Sequence, residues 1–93
     1  MIHDFADKEA ERVWHGRRSR HLPPGIQSVA RRKLRLLNNA VSLNDLRLPP
    51  ANRLEPLKGK RKGQHSMCIN DQWRICFRWK NNDAYDVEIV DYH

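Results

Sequence analysis

The chain has 93 residues, with 18 Lys and Arg against 11 Asp and Glu, and a formal net charge of +7. A chain of this length supports one core, burying about 60–65% of its unfolded surface, so a single domain over residues 1–93 is expected. No stretch approaches the roughly 18–20 apolar residues of a membrane span. The start, Met1-Ile2-His3-Asp4-Phe5, lacks the charged beginning and apolar middle of a secretory signal. Only Cys68 and Cys76 are present, which excludes a four-cysteine zinc site and argues against a disulfide scaffold. A cytoplasmic protein with reduced thiols and no cofactor is the expectation.

Ala6, Ala10, Val13 and Trp14 share one face of a first helix that Asp4 or Asp7 can cap and Gly16 can close. Ile2 to Asp4 fits a short strand ahead of it. Residues 17–22, Arg-Arg-Ser-Arg-His-Leu, form a basic loop. Pro23-Pro24-Gly25 starts a second helix, in which Ile26, Val29, Ala30, Leu34 and Leu37 make an apolar stripe and Arg31, Arg32 and Arg35 lie mostly off it. Asn38-Asn39 ends it. Residues 42–46 can hold a single helical turn, stopped by Pro49-Pro50. The period then changes from helical to alternating. Residues 53–57 read as extended, with Pro56 confining them to a sheet edge or a bulge. Residues 58–63 are a basic loop bracketed by Gly59 and Gly63. Gln64 to Ile69 and Trp73 to Trp79 are strands around an Asn70-Asp71-Gln72 turn, and Tyr85 to Tyr92 is the last strand. The order predicts an α+β domain, two N-terminal helices packed on one face of an antiparallel sheet.

Alternation assigns the two sheet faces. Met67, Ile69, Trp73, Ile75, Phe77 and Trp79 share the parity that meets the helices; Ser66, Cys68, Arg74, Cys76 and Arg78 share the other. An odd-length turn keeps both apolar sets together. With no chain left to form a third layer, the polar face is expected to meet solvent or a ligand. Cations cluster at Arg12, Arg17, Arg18 and Arg20, at Arg31, Arg32, Lys33 and Arg35, and at Arg53, Lys58, Lys60, Arg61 and Lys62. Asp83, Asp86, Glu88 and Asp91 crowd the last eleven residues, which hold no Lys or Arg. Such sign asymmetry favours a polyanion, nucleic acid first and an acidic protein second.

Three segments, in this order, carry a family pattern: Pro-Leu-Lys-Gly-x-Arg-x-Gly at 56–63, Asn-x-x-Trp-Arg-Ile-x-Phe at 70–77, and the terminal Asp-Tyr-His. With Met1-Ile2 and Asp4-Phe5 at the start, they make the chain resemble the HigB-type toxins of the RelE superfamily over nearly its whole length. The resemblance implies a RelE-like microbial RNase fold and a ribosome-dependent mRNA endonuclease that halts translation. It also implies a helix-turn-helix antitoxin of the HigA type, with which the toxin represses its operon, touching operator DNA through the antitoxin. Lys58, Arg61, Arg74, Asp91, Tyr92 and His93 match family positions implicated in RNA binding or catalysis. Glu55 departs from the His that many relatives carry there, while others carry Glu, which leaves the general base open. His65 stands where relatives often have an aromatic residue.

Cutting RNA without a metal needs a base for the 2′-OH, positive charge on the phosphorane and an acid for the leaving 5′-oxygen. Guanidinium forks suit phosphate oxygens, so Arg61 and Arg74 fit the second role, with Lys58 as a point charge and Lys60, Lys62 and Arg78 as further RNA contacts. Glu55, His65, Tyr92 and His93 are the candidates for proton transfer. Glu55 reads equally as a structural partner of Arg61 or Lys58. Tyr92 shares parity with Glu88 and can stack on a base. The alternatives are a non-catalytic RNA- or ribosome-binding module and a silent co-repressor.

Overall fold

The structure, a computed structural model, describes residues 1–91. Asp7 starts helix α1 (Lys8–Trp14): its carboxylate accepts the Glu9 backbone N–H at 2.9 Å, one of the donors that a first turn leaves unmade. Asp4 is not the cap; its carboxylate accepts the backbone N–H of Asp86 instead. Pro24 opens helix α2 (Pro24–Asn39), where a missing N–H costs nothing. Its stripe of Ile26, Ala30, Leu34 and Leu37 is buried as the spacing predicts. Ser42 and Asp45 form a capping box that holds a 3-10 turn at Leu43–Arg47. A second 3-10 turn, Pro50–Asn52, follows where the two prolines read only as a stop.

Four strands, β1 (Glu55–Pro56), β2 (Gln64–Cys68), β3 (Trp73–Lys80) and β4 (Asp83–Asp91), form an antiparallel sheet in that order. Pro56 sits on the edge strand, where its lack of a donor is harmless. The β2–β3 turn is fixed by Asn70, whose side-chain oxygen accepts the backbone N–H groups of Gln72 and Trp73, each at 2.8 Å. This sets Met67 opposite Ile75, both fully buried under the helices. The predicted N-terminal strand is two isolated parallel bridges, Ile2 to Ala84 and Phe5 to Val87. Both helices pack against β4, and Leu34, Leu37, Leu46, Phe77 and Val87 fill the space between layers.

A feature the alternation did not reveal lies between β3 and β4. Cys76 pairs with Glu88 but Arg78 pairs with Tyr85, so β4 carries one extra residue, with Asp86 in the left-handed region at φ 52°. The bulge keeps Ala84, Val87 and Ile89 on the helix side while Tyr85 and Glu88 take the other.

Two basic or titratable side chains stand elsewhere than expected. Lys33 does not extend the cationic run at 31–35. It lies three residues after Ala30 and four before Leu37, hence on the apolar stripe, and is 5% exposed. Its ammonium donates to the side-chain oxygen of Asn52, which is fully buried and donates in turn to the carbonyls of Leu46 and Leu48, each at 3.2 Å. Burial, helped by the neighbouring Arg32, lowers the Lys33 pKa.

His65 has the parity of Met67 and faces Phe77, with ring centroids 6.2 Å apart. Its Nδ1 is buried without a hydrogen-bond partner, and burial lowers its pKa below the usual 6.5. The unfolded chain therefore takes up this proton more readily. His65 contributes full stability above pH 6.5 and loses it as the pH falls through the depressed folded value. His65→Phe is expected to flatten the acid side of a melting-temperature profile below pH 6.5 relative to wild type; an unchanged profile would show that this imidazole does not set it.

Candidate active site on the polar sheet face

The second sheet face is not the open surface expected. Strand register aligns Glu55, Ser66, Cys76 and Glu88 in one lateral row across β1, β2, β3 and β4. The two central residues, Ser66 and Cys76, are fully buried. Among the described residues, two long side chains reach this row. Arg74 comes from the row's own strand, two residues before Cys76. Arg61 comes from the 3-10 turn Gly59–Arg61 that precedes β2. Burying the apolar stem of an arginine while directing its head to polar partners is a common use of this side chain.

Arg74 is held tightly. Its Nε donates to the Ser66 hydroxyl at 2.8 Å, its Nη2 donates to the Arg53 carbonyl at 2.8 Å, and Glu55 lies 3.4 Å from Nη2. Its side chain is only 11% exposed. Arg61 spans the opposite half of the row, donating through Nη1 to Glu88 and, at 3.1 Å, to the Gln64 side chain. Two guanidiniums thus lie over one row, each paired with a carboxylate at one of its ends. Both act electrostatically on Cys76, whose thiol burial pushes up in pKa. The partner of Glu55 is Arg74 and not Arg61 or Lys58; the edge position of β1 places it across from Ser66, where Arg74 reaches.

The remaining candidates are distributed around this centre. Lys58, Lys60 and Lys62 are exposed on the turn that delivers Arg61, and its flanking Gly59 and Gly63 have φ of 66° and 93°, in the region that favours glycine. Arg78 lies on the same face, two residues beyond Cys76, and pairs with Asp86 at 3.5 Å. Asp91 sits opposite Trp73 at the end of β4 and accepts from the Gln72 side chain at 3.1 Å. His65 is not part of the group, because its parity turns it to the helix side. Tyr92 and His93 lie outside the described residues. Glu88 is the member that sequence reasoning overlooked. The bulge is what places it opposite Cys76.

The row concentrates hydrogen-bond donors of fixed geometry beside two partly exposed carboxylates, which suits an anionic ester whose charge grows during reaction. No three His, Cys, Asp or Glu side chains among the described residues are placed to hold a metal ion. No helix among them is long and apolar enough to cross a membrane.

Two helices on a four-stranded antiparallel sheet is an arrangement shared with solved structures of YafQ from E. coli. A YafQ variant aligns over 98% of this chain and 91% of its own at a TM-score of 0.63 and 17% identity. YafQ from strain BL21(DE3) aligns with a TM-score of 0.59 and 15% identity over the same shares of both chains. Residues 3–93 match the family described as RelE-like toxin of type II toxin-antitoxin system HigB. Toxin HigB-1 of Vibrio cholerae is 40% identical over 88 residues, 94% of this chain and 93% of that protein. Endoribonuclease HigB of Proteus vulgaris is 46% identical over 41 residues, 44% of this chain and 45% of that protein. The chain belongs to the HigB-like toxins of type II toxin–antitoxin systems, and membership implies an antitoxin partner.

Proposed function

We propose that this toxin is an endoribonuclease that cuts mRNA on the ribosome without a metal ion, with the Arg61–Arg74 row as its phosphate site. The observation that carries the reading is the convergence of two guanidiniums from separate elements over the Glu55–Ser66–Cys76–Glu88 row. The endoribonuclease name of the Proteus relative supports it. The scissile phosphate docks on the guanidiniums, with Lys58 adding charge from the neighbouring turn. Glu55, about half-exposed and beside Arg74, takes the proton of the ribose 2′-OH. The 2′-oxygen forms a bond to phosphorus, the bond to the 5′-oxygen breaks, and His93 with Tyr92 returns a proton to the departing oxygen. The products are a 2′,3′-cyclic phosphate and a 5′-hydroxyl. The arginines stabilise charge that develops on the phosphorane, where fixed donors are worth most. Lys60, Lys62, Arg78 and Asp91 contact the RNA around the cut. The whole chain works in the cytoplasm as one domain, bound between episodes of activity by an antitoxin of the HigA type, with which it represses its operon.

Mapping mRNA 5′ ends after induction tests this directly. Wild type is expected to generate new ends within translated reading frames, bearing 5′-hydroxyls, and His93→Gln is expected to lose them. Ends carrying 5′-phosphates would contradict 2′-OH attack, and cuts of equal frequency in untranslated RNA would contradict ribosome dependence.

A further inference from the structure

The bulge between β3 and β4 creates a second feature on the polar face. Arg78 and Tyr85 are directly opposed across the two strands, on the side that carries Arg74 and Glu88. Beside them lies an open cleft of about 530 Å³, lined by Gly63, Arg78, Lys80 and Tyr85 and by two acids, Asp86 and Asp4, the first paired with Arg78 and the second accepting the Asp86 backbone N–H. The cleft is built rather than incidental. His3 stacks flat on Tyr85, with ring centroids 4.7 Å apart and planes within 7°. His3 is itself tied by Nε2 to Asp83 at 3.0 Å and does not line the cleft. The phenol is therefore backed by His3 on one face and lines the opening. Arg78 is steered from two sides, by Asp86 at 3.5 Å and by Gly63, where a Cβ would come within 3.0 Å of Nη1. A side chain there would crowd the guanidinium and push it aside.

We infer that this cleft is a subsite for a nucleotide flanking the scissile one, its base stacked on Tyr85 and its phosphate held by Arg78 and Lys80. The inference rests on the reading of the toxin as a ribonuclease. A backed aromatic surface beside cations is the combination that holds single-stranded RNA, because every base has a face to stack and every link a phosphate to pair. Arg78 lies two residues of β3 beyond Cys76 of the row, roughly 7 Å at strand spacing and about one nucleotide along. A strand of RNA running along β3 from the cleavage row thus brings a neighbour, not the cleaved nucleotide, to Tyr85. The role is positioning: it adds binding that the free and reacting substrates share, so it lowers the substrate concentration needed without changing the chemical step.

The test uses ribosomes programmed with an mRNA blocked by 2′-O-methylation at the mapped cut, with 5-iodouridine placed in turn at each of the two positions on either side. Irradiation with the full-length toxin is expected to give an adduct on the peptide containing Tyr85 from one side only. On unmodified mRNA, Tyr85→Ala is expected to raise KM about 5- to 150-fold, the range of one lost base stack, and Arg78→Gln to raise it as well, each with kcat nearly unchanged. Tyr85→Phe, which keeps the ring, is expected to restore KM. Adducts absent from Tyr85, or a KM that neither substitution moves, overturn the subsite while leaving the ribonuclease reading intact. A fall in kcat that Tyr85→Phe does not repair also overturns it, since the ring would then serve the fold or the chemistry. Wild type that cuts no unmodified mRNA overturns the reading beneath it.

Discussion

Arg74→Ala is expected to abolish most mRNA cleavage, a loss of at least about 100-fold in single-turnover rate, the scale of losing one preorganised donor at a developing oxyanion. The same change removes the side chain that donates to Ser66 and satisfies the Arg53 carbonyl. It leaves a buried hydroxyl and a carboxylate without their partner, so a destabilisation of about 1–3 kcal/mol accompanies the loss. The two effects separate with Arg74→Lys. Lysine restores a positive charge but not the fork, and a point charge cannot hold Ser66, a carbonyl and a phosphate oxygen together. Cleavage by Arg74→Lys is expected to stay at least about 10-fold below wild type, one bidentate hydrogen bond's worth, at temperatures where circular dichroism shows it folded. Full activity in Arg74→Lys would mean that charge alone suffices and that the fork geometry plays no catalytic part. Arg61→Ala should cost less stability, since Arg61 is 36% exposed against 11% for Arg74.

The second large effect lies far from the row. Asn52→Ala strips the Lys33 ammonium of its buried acceptor and the Leu46 and Leu48 carbonyls of their donor. A cation left alone in a core costs far more than one lost neutral bond, and about 3 kcal/mol is expected. For a domain of this size that lowers the melting temperature by about 12–24 °C. The penalty is electrostatic, so its pH dependence has a definite sign. The folded pKa of Lys33 lies below the unfolded value, so the charged form works against folding at neutral pH and ceases to as the pH rises toward 10.5. Lys33→Met in the Asn52→Ala background is expected to recover part of the loss and to remove that dependence. Thermal melts of the single and double variants form the cycle that checks it, and strict additivity would mean the two side chains do not interact.

Much of the architecture was legible because it follows from periodicity. The stripe on α2 and the alternation on β2 and β3 each require one face to be buried, and burial is what those patterns encode. The turn at residues 70–72 follows from local chemistry, an asparagine that accepts from the backbone two and three residues on. The misjudged features are of another kind. Arg74 and Arg61 have the residue type of a solvated face, yet Arg74 is bonded to Ser66 and the Arg53 carbonyl, Arg61 to Glu88, and both act on Cys76, because a side chain this long reaches several internal partners. Lys33 was read by its charge when its position at three and four residues from Ala30 and Leu37 decided its place. The β3–β4 bulge leaves no mark in an alternating pattern, because a single extra residue in the left-handed region at Asp86 absorbs it. Without it Glu88 would not face Cys76, and the second carboxylate of the row went unrecognised. Of the candidate site, residue types and the shared parity of Arg74 and Arg78 could be read from sequence; the pairing of each cation could not.

That pairing has a consequence for how the toxin meets its substrate. At rest the positive groups of the row are already satisfied from within, one by Glu55 and one by Glu88. An incoming diester therefore finds no vacant cation; it must outcompete an internal rival at either end. A stray phosphate gains little from such an exchange. An RNA strand threaded along the sheet and anchored at several points can drive it. In the proposed reaction the protein's own acids would set a threshold, crossed by a strand held at several points and not by a loose phosphate.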